Sequence, residues 1–80
     1  MRLLDEVIDL GPAGVALLCM EGEPREGMRL KDARGNIHAV SSVSGAEGLY
    51  TLHIPEGSAD YFGRLFRDVR VDATLFEEAE

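Results

Sequence analysis

The chain has 80 residues, of which 45% are hydrophobic and 29% charged, and 15 Asp and Glu against 8 Lys and Arg give it a net charge of -7. This length fits one small domain, and the apolar fraction excludes a disordered tail. The acidic balance argues against the counterion release that drives non-specific nucleic-acid binding. The single cysteine excludes an intramolecular disulfide, and with only two histidines no zinc site is predicted.

Neither targeting nor membrane insertion is indicated by the apolar segments. Asp5 and Glu6 interrupt the N-terminal apolar residues, so this region does not match a secretory signal. The longest apolar run, residues 15–20, is too short to span a bilayer. A lone free thiol suits a reducing compartment. The sequence therefore predicts a cytoplasmic protein with no membrane partner.

The first half of the chain reads as a series of short strands. Residues 3–10 fit either a helical face or a strand, and the β-branched residues at their centre favour a strand. Residues 14–20 form a continuous apolar run that is typical of a strand covered on both faces. Residues 28–32 alternate, which directs Met28 and Leu30 inward.

The segment Asp32-Ala33-Arg34-Gly35-Asn36 predicts a hairpin turn. The Asp32 carboxylate can accept backbone hydrogen bonds there, and Gly35 can adopt the left-handed conformation. Residues 37–43 return as a strand with a bulge near Ser41 and Ser42, and residues 49–54 form an alternating strand. One core is expected to contain Leu17, Leu30, Leu52 and Ile54.

The C-terminal third is predicted to add little helix. Ser58 can cap a single helical turn, whose length Gly63 limits. Residues 66–76 suit one or two final strands, and residues 77–80 suit a frayed acidic tail. The sequence thus predicts a single all-β domain over residues 1–76, a small barrel of about six short, mainly antiparallel strands.

The order of several motifs resembles a known module. Gly11-Pro12-Ala13-Gly14-Val15-Ala16-Leu17 is followed by Arg25-Glu26-Gly27-Met28-Arg29-Leu30, by the hairpin turn, and by Ser58-Ala59-Asp60-Tyr61-Phe62-Gly63-Arg64-Leu65-Phe66. This order is similar to the second-domain β-barrel of translational GTPases such as elongation factor Tu. The resemblance implies a translation-protein-like barrel that packs on partner domains and helps to contact RNA or the ribosome. The chain has no P-loop, so GTPase activity is not implied.

Few residues are candidates for chemistry. Cys19 lies in an apolar strand and is expected to be a buried, inert thiol. The histidines, His38 and His53, are expected to face solvent on strands, without the positioned second group that acid–base catalysis requires. Neither a cofactor nor a metal is predicted.

Four cations gather around the predicted hairpin and form a candidate anion or partner patch: Arg25, Arg29, Lys31 and Arg34. Because Glu26 and Asp32 are interleaved with them, the main interpretation is a solvated face. The functional hypothesis is a non-enzymatic binding or assembly module that pairs with itself or with another protein. The alternative is an accessory protein linked to translation or to RNA and ribosome binding. An enzyme with a small-ligand site is the weakest hypothesis, and direct nucleic-acid binding is not expected.

Overall fold

The chain folds as two antiparallel sheets and one α-helix in a computed structural model that describes residues 1–46, 48–70 and 72–79. Sheet A has the strand order β1-β2-β6-β5, and sheet B has the order β4-β3-β7. The elements are β1 (Arg2–Asp9), a 3-10 turn (Gly11–Ala13), β2 (Val15–Glu21), β3 (Arg29–Lys31), β4 (Ile37–Ala39), β5 (Ser42–Ala46), β6 (Leu49–Ile54), α1 (Ala59–Asp68) and β7 (Glu77–Ala79). The predicted β-rich class is confirmed at this level.

Sheet A resolves the ambiguity of residues 3–10, because residues 3–9 belong to strand β1 and Leu10 lies beyond its end. Leu3 pairs with Cys19 and Val7 with Leu17, so β1 has more residues than β2 between these two pairs. This irregular register is typical of a bulge. It explains why the segment lacks a clean alternation of apolar and polar residues.

Strand β2 is buried on both faces in its first half but on only one face in its second half. Val15, Leu17 and Cys19 are fully buried, whereas Leu18 is half-buried and Met20 is exposed. The prediction of a strand covered on both faces is therefore wrong for its second half, where Met20 and Glu21 are exposed.

Sheet B is built on the predicted hairpin. Gly35 has φ 87°, in the left-handed region that favours glycine, which confirms its place in the turn. The predicted strand over residues 37–43 is divided between the sheets. β4 pairs with β3, and after Val40 and Ser41 the chain enters sheet A as β5, paired with β6.

The helix α1 is longer than the single predicted turn. The Ser58 side chain accepts a hydrogen bond from Tyr61 N at 3.2 Å, as expected of an N-cap. Gly63 does not end the helix, because burial of Phe62, Leu65 and Phe66 on one face offsets the glycine penalty of about 1 kcal/mol.

The strands predicted over residues 66–76 are also wrong. Phe66 belongs to α1, and among the described residues from 67 to 76 only Leu75 makes a bridge, to Arg2. Val71 lies outside the described residues. Apolar residues at helical spacing, rather than at alternate positions, account for the difference.

The predicted frayed tail over residues 77–80 is replaced by a strand. Glu77–Ala79 form β7, which pairs antiparallel with β3. Glu77 lies opposite Lys31, and Glu78 forms an ion pair with Arg25, so the acidic end of the chain meets the basic hairpin. Glu80 lies outside the described residues.

The core lies between the sheets and beneath α1. The four predicted core residues are all buried and belong to one cluster. Their partners include Phe62 from the helix and Phe76, whose rings lie 6.5 Å apart. The helix thus contributes Phe62, Leu65 and Phe66 to the core.

Leu52→Ala is expected to lower the free energy of unfolding by about 2–5 kcal/mol, because its side chain is fully buried. Leu49→Ala is the matched control on the same strand, since Leu49 is 49% exposed, and is expected to cost well under that amount. Urea titration followed by circular dichroism measures both. Equal losses for the two variants would contradict the register of β6.

Candidate functional site

A polar cluster at the tip of the β3–β4 hairpin centres on Asp32. Within the described part of the chain, Asp32 is the one charged residue that is buried, at 4% exposed. Its Oδ1 accepts hydrogen bonds from Arg34 N at 2.8 Å and Asn36 N at 3.0 Å. Its Oδ2 accepts from His38 Nε2 at 2.7 Å and from the Tyr61 hydroxyl at 2.6 Å. Four donors fill the acceptor positions of the carboxylate.

Three elements position these donors. The turn supplies the two backbone N–H groups, as the sequence predicts for an Asp that opens a turn. β4 directs His38 toward α1, where its ring lies 4.7 Å from that of Phe62. The Ser58 cap starts α1 so that Tyr61 reaches over the hairpin, and the Asn36 amide donates to the Tyr61 oxygen at 2.7 Å.

The hydrogen bonds decide the charge state of the cluster. Burial by itself would raise the pKa of Asp32, but bonds from His38, Tyr61 and the turn outweigh it and hold that pKa below its usual value. Burial and donation to Asp32 raise the pKa of Tyr61. At neutral pH Asp32 is therefore ionised and Tyr61 protonated. A carboxylate with no open acceptor position stabilises the hairpin and helix, and is not available as a general base.

His38 is half-buried in this cluster, so the prediction that it faces solvent is wrong. The second histidine, His53, lies on the outer side of β6, where its Nε2 donates to the Ala13 carbonyl at 2.6 Å. The Nδ1 atom of the same ring lies 3.0 Å from the Ser41 hydroxyl. Each imidazole therefore joins neighbouring segments.

Two of the four predicted patch cations are paired with carboxylates. Arg25 pairs with Glu78, and Arg34 pairs with Asp68 at 3.0 Å. The other two cations, Arg29 and Lys31, are exposed on β3. The structure brings the four together along one hairpin but neutralises both ends of the patch.

A surface cavity of about 580 Å³ lies beside the hairpin. Its charged lining mixes Lys31 and Arg34 with Asp72 and Glu77, and Val69 and Leu75 supply apolar walls. Cations and carboxylates face the same space, so the lining does not favour anions over cations.

Cys19 is fully buried, and burial raises the pKa of its thiol, as expected for an inert cysteine. Over residues 1–46, 48–70 and 72–79, no group of three or more His, Cys, Asp or Glu residues is arranged to hold a metal ion. In the same residues, no helix is both long and apolar enough to cross a membrane.

The solvent side of sheet A carries an unexpected apolar group. Because Val15, Leu17 and Cys19 point inward, strand alternation directs their neighbours outward. We define the outer apolar row as Ile8, Leu18, Met20 and Leu49. Leu18 is half-buried, whereas Ile8, Met20 and Leu49 are 43%, 47% and 49% exposed.

The row spans β1, β2 and β6, which are adjacent in the sheet. Sequence reasoning missed this surface because the continuous apolar run of β2 was assigned to a doubly covered strand. The apolar run of β2 was the available signal. A strand covered on one face normally carries polar residues on its other face, so apolar residues at those positions indicate an apolar surface.

Comparison of the chain with protein-family models, with curated protein sequences and with solved structures finds no match. A functional conclusion therefore rests on the Asp32 cluster, the hairpin cations and the outer apolar row.

Asp32→Asn is expected to lower the free energy of unfolding at neutral pH by about 1–3 kcal/mol, because the amide cannot accept all four donors. In the parent protein the Asp32 contribution is full above the unfolded pKa, about 3.9, and is lost as pH falls through the lower folded value. The variant should therefore lose less stability between about pH 5 and 2.

The control is Asp68→Asn, since the Asp68 carboxylate is 60% exposed and is expected to contribute less than about 1 kcal/mol. Urea unfolding at a series of pH values measures both variants. An Asp32→Asn protein with the parent's stability and the parent's acid profile would contradict the structural role of the carboxylate.

Proposed function

We propose that this protein is a non-enzymatic binding module that docks a partner protein on the outer face of sheet A. The observation that carries the proposal is the outer apolar row, in which Ile8, Leu18, Met20 and Leu49 lie on three adjacent strands. Apolar side chains grouped on a surface are typical of interaction sites. Scattered single residues would need no such explanation.

The polar groups of the molecule support a non-enzymatic role. The Asp32 carboxylate, the Tyr61 hydroxyl and the His38 Nε2 are bonded to one another. The Cys19 thiol is buried and has a raised pKa, which disfavours its reaction as a thiolate. These hydrogen-bonded groups therefore stabilise the fold. A buried free thiol is also consistent with the cytoplasmic location proposed here.

We further propose that the two sheets close into one small barrel. The β4 and β5 strands follow each other through Val40, which exchanges hydrogen bonds with the segment before β3. At the other side, Leu3 N donates to the Thr74 carbonyl at 2.8 Å and Phe76 N to the Met1 carbonyl at 2.8 Å. These bonds support a continuous path from β1 through both sheets and back to β1.

A barrel of this kind is also what the resemblance to the translational GTPases implies, so an accessory role in translation or RNA binding is the second candidate. The pairing of Arg25 and Arg34 with carboxylates argues against it, because few cations are left for phosphate. A fluorescence titration of short RNA at about 50 mM salt separates the two candidates. Micromolar binding that is lost in Arg29→Glu/Lys31→Glu would favour the RNA role.

The docking face is tested by replacing its most exposed side chains. In Met20→Gln/Leu49→Gln the apolar area is lost, and the fold should be kept because both residues are about half exposed. Ile37→Gln is the matched control, since Ile37 is 48% exposed but lies on β4 of sheet B. The baits are the parent protein and the two variants, each used for affinity capture from extracts of the cells that make this protein.

The same partner should be captured by the parent and by Ile37→Gln, and at least about tenfold less by the double variant, which corresponds to about 1.4 kcal/mol of binding free energy. Circular dichroism checks that each bait is folded. Equal capture by all three proteins, or no reproducible partner for the parent, would contradict the proposal.

A further inference from the structure

We propose that the partner docks with an apolar surface flanked by lysine or arginine side chains. This inference rests on the proposed docking face of sheet A and adds the chemistry of the partner. It is carried by the distribution of charge around the outer apolar row, which differs from that around the hairpin of sheet B.

The charged residues of sheet A are almost all acidic. Within the described strands β1, β2, β5 and β6, the carboxylates are Asp5, Glu6, Asp9 and Glu21. The one cation in these strands is Arg2, and its guanidinium lies 3.6 Å from the Glu21 carboxylate. Sheet A therefore presents net negative charge, whereas the hairpin of sheet B carries the four clustered cations.

The carboxylates border the apolar row. Glu6 lies on β1 two residues before Ile8, immediately before the regular pairing that begins at Val7. The bulged part of β1 that contains Asp5 and Glu6 lies opposite Leu18, between the Leu3–Cys19 and Val7–Leu17 pairs. All the acidic residues of β1 are exposed.

Two further carboxylates lie at the ends of β1 and β2. Glu21 follows Met20 at the end of β2, and its side chain is 74% exposed. Asp9 follows Ile8 at the end of β1, where its carboxylate accepts a hydrogen bond from Gly11 N at 2.8 Å. The acidic residues beside the row are therefore Asp5 and Glu6 on its β1 side, because Asp9 and Glu21 lie on the opposite face from Ile8 and Met20. The β5 side contributes uncharged Ser42 and Ser44.

This arrangement disfavours a second copy of the chain as the occupant. Two outer faces brought together would place carboxylates near carboxylates, and like-charge contacts in an interface cost several kcal/mol. A basic partner gains at the same positions, because its cations meet an acidic border while its apolar residues cover the row. Charge complementarity therefore selects a heterologous, basic partner.

The test uses two defined peptides as probes. One is an eight-residue capped peptide of alternating Leu and Lys, and its twin has Glu at every Lys position. Isothermal titration calorimetry is carried out at about 50 and 300 mM salt, where screening separates charge from apolar contact. The parent protein should bind the Leu/Lys peptide and not the Leu/Glu peptide. Its affinity should fall at least about fivefold at the higher salt.

Two matched charge variants locate the effect. Asp5→Asn/Glu6→Gln removes two carboxylates at the border of the row and is expected to weaken binding about tenfold. Glu26→Gln/Glu77→Gln removes the same charge from the sheet B side and should change the affinity less than about twofold. Met20→Gln/Leu49→Gln should abolish binding if the row is the docking face.

The outcomes distinguish the inference from the proposed function. Equal affinity for both peptides, or equal losses in the two charge variants, would overturn the basic partner, and loss of binding in Met20→Gln/Leu49→Gln would then still support the docking face. Basic-peptide binding that survives Met20→Gln/Leu49→Gln would overturn the docking face instead. Failure of the parent to bind either peptide, or a concentration-dependent dimer in sedimentation that Met20→Gln/Leu49→Gln disrupts, would also overturn the inference.

Discussion

The saturated carboxylate of Asp32 is the constraint on which the relation between hairpin and helix depends. A buried carboxylate loses its hydration, and only a full set of donors offsets that cost. Its donors come from the turn, from His38 on β4 and from Tyr61 on α1. Moving the helix away from the hairpin would leave the buried carboxylate without one of its hydrogen-bond donors. The carboxylate therefore specifies one arrangement of these elements.

That arrangement determines which surfaces stay open. With α1 held over the hairpin, Phe62, Leu65 and Phe66 enter the core, and the inner faces of both sheets are covered. On the outer side of sheet A, Met20 and Leu49 stay about half exposed. The polar groups around Asp32 thus bond to one another, whereas the outer face of sheet A carries apolar side chains beside acidic residues.

Local patterns predicted much of the β structure. Asp32 and Gly35 specify the hairpin turn, and the alternation of Leu52 and Ile54 specifies the inner face of β6, because both depend on short-range geometry. The length of α1 was not predicted, because the intrinsic cost of Gly63 is small compared with the burial of the aromatic residues around it. At that position, tertiary packing outweighs the low helix propensity of glycine.

The candidate sites depend on contacts between residues distant in sequence. Tyr61 meets Asp32 from 29 residues away, and neither residue signals the other in a local pattern. β7 forms because its edge pairs with β3, although Glu77 and Glu78 alone suggest a solvated tail. The outer apolar row is visible only when β1, β2 and β6 are placed side by side. Sequence spacing carries no information about that order.

We propose that the outer face of sheet A binds and that the Asp32 half of the molecule serves as its scaffold. The most direct measurement is a map of amide chemical-shift changes in ¹⁵N-labelled protein as the alternating Leu/Lys peptide is added. We expect the largest changes at Ile8, Met20 and Leu49, with Asn36 and Tyr61 nearly unchanged. Largest changes at the hairpin and α1, with β2 unaffected, would contradict it.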